Sequence, residues 1–184
     1  MENKAEMLAA GREAILMIQE KLRDGQTIHV GTLVSAAARI AGTSLLRSFG
    51  LLANQKVEPG VILLSEEANR EWPKLMSAVL ATLKANGVEV DQAKLVFKPP
   101  EKHAPKQEIL QMQVEFQDPY NRIMSQHGLD YRQGALAGAL ACAIAILESR
   151  KIVNPEITCG IAAMGFIEGS KTAPMPLAPE TPAS

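Results

Sequence analysis

A run of 14 uncharged residues, Gly134 to Leu147, constrains the fold of this 184-residue chain more than any other feature. Its sequence, GALAGALACAIAIL, has no polar face, and a helix that is apolar on all sides must be surrounded by other elements. The run is too short to span a bilayer, which takes about 20 apolar residues. We therefore expect a helix from Tyr131 to about Ser149 at the centre of a soluble fold, with Asp130 and Gln133 as its caps.

The composition favours helices around this segment. The chain has 26 Ala and 20 Leu but only one Trp, two Tyr and four Phe, and strands prefer aromatic and β-branched residues. We predict an all-α, single-domain helical bundle of six or seven helices, with residues 1–171 as the domain and 172–184 as a proline-rich tail. The alternative is an α+β domain, in which residues 61–64, 88–97 and 109–116 form a small sheet.

Capping residues predict where the other helices begin. Suitable side chains lie at Asn3, Thr27, Ser65, Asp118 and Asn154, and the last two are followed by a proline, which suits the first helical position. Residues 107–117 match both a strand alternation and a helical stripe, and their Gln, Glu, Met and Leu content favours helix.

Residues 28–50 combine an apolar stripe with a polar one. The polar stripe consists of Thr32, Ser35, Arg39, Thr43 and Arg47, and this amphipathicity predicts that Arg39 faces water. Ala38 to Ser44 also resembles the turn of a helix-turn-helix DNA reader, which implies DNA binding through residues 28–50. Ser48 and Gly50 depart from that motif, and the balance of 19 basic against 20 acidic residues argues against nucleic acid as a partner.

The remaining motifs point to a cytoplasmic protein without a metal or another cofactor. Cys142 and Cys159 have apolar neighbours, which is typical of free buried thiols, and the N-terminal residues lack the pattern of a secretory signal. The histidines and cysteines show no metal-ligand spacing. Gly165 to Thr172 departs from a phosphate-binding loop, because three residues rather than four separate its glycines.

Six residues are the sequence candidates for a ligand site: His127, Asp130, Tyr131, Arg132, Glu168 and Lys171. The first four place an acid–base group and charges at the mouth of the apolar helix, and pockets form where polar groups meet apolar walls. Capping by Asp130, packing of Tyr131 and solvation of Arg132 explain the same residues without a site.

Three functional hypotheses follow from these patterns. The leading one is a non-enzymatic protein that acts through protein contacts, because the chain has Ala-rich helices and no recognisable catalytic spacing. The second is a small-ligand-binding protein or enzyme that uses the six candidate residues, and the third is DNA binding. A homodimer is the expected assembly, since it is the commonest one. Met175 and Leu177 of the tail would then pack on the body or on the second subunit.

Overall fold

The computed structural model describes residues 3–51 and 57–177, which form six α-helices. In chain order these are α1 (Lys4–Leu22), α2 (Val30–Ser48), α3 (Glu66–Ala85), α4 (Ile109–Gln126), α5 (Tyr131–Ser149) and α6 (Pro155–Lys171). Two short 3-10 turns, Gln92–Lys94 and Glu101–His103, lie between α3 and α4. Of the described residues 69% are helical, and this part of the chain contains isolated β-bridges but no strand. The all-α prediction is therefore confirmed over the α+β alternative.

Helix α2 is the most completely buried element of the bundle. Every residue from Gly31 to Leu46 is buried, whereas α5 leaves Leu136, Leu140, Ile144 and Leu147 partly exposed along one side. The apolar α5 is packed among other helices as expected, but it shares the centre with α2. None of the described helices is long and apolar enough to cross a membrane.

Small residues let α2 and α6 approach each other closely. A Cβ atom built on Gly169 would lie 2.3 Å from the carbonyl oxygen of Arg39, and one on Gly42 would lie 2.6 Å from that of Phe166. At Gly165 the added atom would lie 2.7 Å from the Cβ of Ala38. Real Cβ atoms do not approach neighbours this closely, so the three glycines are what allows the two backbones to pack in direct contact.

Three of the predicted helix starts agree with the structure, and three do not. Ser65, Asp130 and Asn154 cap as predicted, each accepting a backbone N–H of the first turn. Asn3 makes no side-chain cap, and His29 rather than Thr27 caps α2 by accepting from the Thr32 N–H at 3.2 Å.

The prediction that Asp118-Pro119 begins a helix is also wrong. Both residues lie inside α4, which starts ten residues earlier, where the backbone N–H of Glu108 donates to the side chain of Gln111 at 3.2 Å. The reason is packing: Phe116, Tyr120 and Ile123 are buried on both sides of the proline. Burial of this stripe stabilises one continuous helix and outweighs the backbone hydrogen bond that a proline cannot donate.

The first part of the proline-rich tail packs on its own chain. Ala173 pairs with Gly60 and Val61 through two backbone hydrogen bonds of 2.9 and 2.8 Å. The backbone of Met175 accepts from Arg47 at 2.7 Å and from Gln117 at 3.1 Å. Met175 is half-buried and Leu177 is exposed, so Leu177 does not fill a groove of the body. Residues 178–184 of the predicted tail lie outside the described residues.

Candidate ligand-binding cleft

Arg39 is buried in the centre of the bundle, so the prediction that it faces water is wrong. It is only 7% exposed, and Thr32, Ser35 and Thr43 of the same polar stripe are buried with it. The sequence pattern correctly identified a polar side of α2. That side faces α6, the start of α4 and the segment between α3 and α4 (residues 86–108), which we call the connector. Polar groups of these three elements provide the hydrogen bonds that water would otherwise make.

The guanidinium of Arg39 is held by three elements. Its Nε donates to Oε2 of Glu168 on α6 at 2.6 Å, and its Nη1 donates to the carbonyl oxygen of Gln107 at 2.6 Å. Nη1 also lies 3.6 Å from the sulfur of Met112 on α4. A buried cation requires a counter-charge and hydrogen-bond acceptors, and Glu168 supplies the charge while keeping 37% of its side chain exposed.

This ion pair lies at the floor of a cleft of about 170 Å³ between α2, α6 and the connector. The apolar walls are formed by Phe97, Pro99, Pro105, Ile161 and Met164. The polar lining comes from Ser35, Arg39, Gln107, Glu108 and Glu168. One arginine and two glutamates leave the lining with a formal charge of −1, and Nη2 of Arg39 donates to no atom of the described chain. The cleft is therefore lined by acidic acceptors, by one arginine and by apolar surface.

The connector is anchored on both sides, which fixes the outer wall of the cleft. Because Nδ1 of His29 accepts from the Thr32 backbone, the ring proton lies on Nε2 and is donated to the Lys102 carbonyl at 3.0 Å. The Thr32 hydroxyl accepts from the Lys106 N–H at 3.1 Å. On the other side, the Val96 N–H donates to the Glu156 carbonyl at 3.1 Å.

Two glycines permit this close approach of the connector. A Cβ on Gly31 would lie within 1.9 Å of the His103 carbonyl oxygen, and one on Gly160 would lie 2.1 Å from that of Val96. The connector therefore rests directly on the backbones of α2 and α6, and its prolines stiffen it further.

Of the six sequence candidates, only Glu168 lines the cleft. Asp130 caps α5 by accepting from the Gln133 N–H at 2.8 Å, and Arg132 donates to Glu71 of α3 at 3.0 Å. Tyr131 packs against the hydrophobic core, and the backbone of Lys171 accepts from Leu63 at 2.7 Å. These side chains serve several separate contacts, and the structure does not gather them into one site.

His127, the sixth candidate, joins the end of α4 to α1. Its Nδ1 lies 2.8 Å from Glu6 and its Nε2 lies 3.0 Å from Glu13. Hydrogen bonds to Glu6 and then to Glu13 raise the pKa of His127 above its ordinary value of 6.5, because they favour the protonated ring.

Raising the pH should weaken this contact. A pKa raised in the folded state contributes stability that is complete below pH 6.5 and is lost as the pH rises through the folded-state pKa. The group is near the surface, so we expect a loss of less than about 1 kcal/mol. Urea unfolding should show this loss of stability between about pH 5.5 and 8.5, a range that brackets the ordinary pKa of histidine. His127→Gln should abolish this pH dependence, and the control His103→Gln should retain it. An unchanged pH profile in His127→Gln would contradict the assignment of the effect to His127.

The geometry of α2 contradicts DNA reading by residues 28–50. A recognition helix must expose one face to the major groove, whereas α2 is buried along 16 consecutive residues, Gly31 to Leu46. Arg39 and Arg47 both donate to atoms of the protein itself. Gly165 to Lys171, which departs from a phosphate-binding loop in sequence, is part of helix α6.

The protein is thus an all-α helical bundle with a small cleft that is lined by both polar and apolar side chains. Within residues 3–51 and 57–177, no group of three or more His, Cys, Asp or Glu side chains is placed to hold a metal ion. Comparison of the chain with protein-family models, with curated proteins and with solved structures finds no match. Function is therefore inferred from the cleft itself.

Proposed function

We propose that the protein binds a small zwitterionic molecule with an apolar side chain, of the amino-acid type, in the cleft beside Arg39. The observation that carries this proposal is an arginine only 7% exposed at the floor of a cleft of about 170 Å³. A buried ion pair often stabilises a fold no better than well-packed apolar residues of similar volume would, so stability alone does not explain the pair of Arg39 with Glu168. A function in binding explains why the charge is kept.

The ligand class follows from the groups that line the cleft. Nε and Nη1 of Arg39 already donate to Glu168 and Gln107, which leaves Nη2 as the nitrogen that can donate to a ligand carboxylate. Glu168 and Glu108 can accept from a protonated amine. Phe97, Ile161 and Met164 provide an apolar wall for the remainder of the molecule. The cleft volume lies below the 300–1,000 Å³ of pockets for drug-sized ligands, which favours a small metabolite.

A thermal-shift measurement with three probes tests this proposal. Leucine carries both charged groups, isovalerate carries only the carboxylate and isoamylamine carries only the amine. Leucine at 100 times its dissociation constant should add about 2.7 kcal/mol of stability, and each single-charge probe should add less at equal concentration. No stabilisation by leucine, or equal stabilisation by all three probes, would contradict the proposed ligand class.

Two variants distinguish the cleft from other surfaces. Met164→Trp should fill the cleft from its wall and remove the effect of leucine, because Met164 lines the cleft and is 36% exposed. Ile152→Trp makes a matched change at an exposed residue after α5 and should leave the effect intact. An effect of leucine that survives in Met164→Trp places binding elsewhere.

A second candidate function, protein contact through a homodimer, is favoured by a different observation. Residues 61–64 are extended and apolar, with Ile62 70% and Leu64 91% exposed. Gly60 and Leu63 donate to the backbone of residues 171–173, while the backbone of Ile62 makes no such bond within the described chain. Edges of this kind pair readily with another strand, and two copies of the segment would pair antiparallel about a two-fold axis.

Light scattering tests the dimer. We expect a dimer for the full chain, a monomer for Ile62→Lys, and a dimer for the control Ile152→Lys at another exposed isoleucine. A full-length monomer, or an unchanged dimer in Ile62→Lys, would contradict pairing through this segment.

The proposed function also includes a location in a reducing compartment such as the cytoplasm. Cys142 and Cys159 are both free and buried. Burial raises the pKa of both thiols, to about 12 for Cys159. Free thiols support a reducing environment, because disulfides form mainly in oxidising compartments.

A further inference from the structure

A second cavity lies between α2 and α4, close to the C-terminal segment. It has room of about 10 Å³, which is close to the least space that a single buried water molecule requires. Two of its lining side chains have fully buried N–H groups without an acceptor among the described residues, namely Nε of Arg47 and Nδ2 of Asn121. Buried donors in proteins are nearly always hydrogen-bonded, so these two unpaired N–H groups indicate that the cavity holds an acceptor.

The charge of Arg47 indicates what kind of acceptor fits. Its Nη2 donates to the side-chain oxygen of Gln117 at 3.0 Å and to the Met175 carbonyl at 2.7 Å, and both acceptors are neutral. No carboxylate of the described chain lies within 4.0 Å of its guanidinium nitrogens, in contrast to Arg39. Burial lowers the pKa of Arg47, and the more distant Tyr131 and Asp118 oppose this effect only in part. Within the described residues, therefore, no carboxylate pairs directly with the charge of Arg47.

We propose that this cavity binds a monatomic anion, chloride in ordinary solution, through Nε of Arg47 and Nδ2 of Asn121. The hydroxyl of Thr43 accepts from Gln113 at 3.3 Å, so its proton is available to the same anion. The site is separate from the ligand cleft and shares only Arg39 with it. The anion also orients the guanidinium of Arg47. Because Nη2 of the same guanidinium donates to the Met175 carbonyl, anion binding is coupled to docking of the C-terminal segment.

Unfolding temperatures in different sodium salts at equal ionic strength test this inference. Chloride and bromide should raise the unfolding temperature in a saturable manner, whereas gluconate is too large to enter and should not. Asn121→Asp places a carboxylate in the cavity and should remove the difference between the salts. Asn69→Asp makes the same chemical change at an exposed position of α3 and should retain it.

A crystal soaked in bromide provides a second readout that needs no variant. The anomalous difference map should show a peak between Arg47 and Asn121. Equal unfolding temperatures in all three salts, an unchanged salt difference in Asn121→Asp, or an anomalous map without this peak would each overturn the proposal and leave a water molecule as the occupant.

Discussion

Replacing Gly169 with alanine should lower the free energy of unfolding by about 3 kcal/mol, the upper end of what overpacking typically costs. The added Cβ would lie 2.3 Å from the Arg39 carbonyl oxygen and 2.9 Å from the Thr43 nitrogen. Both atoms belong to the α2 backbone, which cannot move aside as a side chain can. On intrinsic helix propensity alone the same change would stabilise α6 by about 1 kcal/mol, so packing reverses the sign. Urea unfolding followed by circular dichroism measures the difference.

Ser125→Ala is a suitable control for this experiment. Ser125 is exposed near the end of α4, and surface substitutions usually change stability by less than about 0.5 kcal/mol. If Gly169→Ala proved neutral or stabilising, the close packing of α2 against α6 would be wrong.

The second large effect concerns the ion pair at the floor of the cleft. Glu168→Gln should cost about 2 kcal/mol, because it leaves the charge of Arg39 buried without its counter-ion. Breaking a fully buried pair costs about 3–5 kcal/mol, and the partial exposure of Glu168 reduces that loss. Arg39→Met should be comparably destabilising, since it removes the partner of Glu168 and of the Gln107 carbonyl.

The double variant Arg39→Met with Glu168→Gln measures the interaction between these two side chains separately from their contacts with other residues. We expect it to be more stable than the sum of the single effects predicts, by about 1 kcal/mol or more, as interacting residues show in such cycles. Strictly additive losses in urea unfolding would mean that the two side chains do not interact, and the floor of the cleft would then need a different description.

The helical class was predictable because it depends on local signals. The apolar run in α5 requires burial from every side, and glycines or caps near Gly87, Asp130 and Asn154 mark helix ends by backbone chemistry alone. Asp118-Pro119 carries the same local signal as Asn154-Pro155 but lies inside α4. The difference arises from tertiary packing of Phe116 and Tyr120, which a capping pattern does not contain.

The site was less predictable because its partners are distant in sequence. Amphipathicity identifies the polar stripe of α2, but it does not distinguish a side that faces water from one that faces another polar surface. Glu168 lies 129 positions from Arg39. Only Glu168 among the predicted site residues lines the cleft, and the rest of the lining comes from α2, from the connector and from other residues of α6. One available signal was the setting of Arg39 among alanines and Gly42, because small residues on all sides indicate close neighbours.

The most direct test of ligand binding is an NMR titration that follows the Nε–H signal of Arg39. This group donates to Glu168 at the floor of the cleft, so a zwitterion that engages both side chains must change its environment. We predict a saturable shift of this signal as leucine is added, a smaller response to isovalerate or isoamylamine, and no response in Met164→Trp. An Arg39 signal that stays unchanged up to the solubility limit of leucine would contradict the proposed binding function.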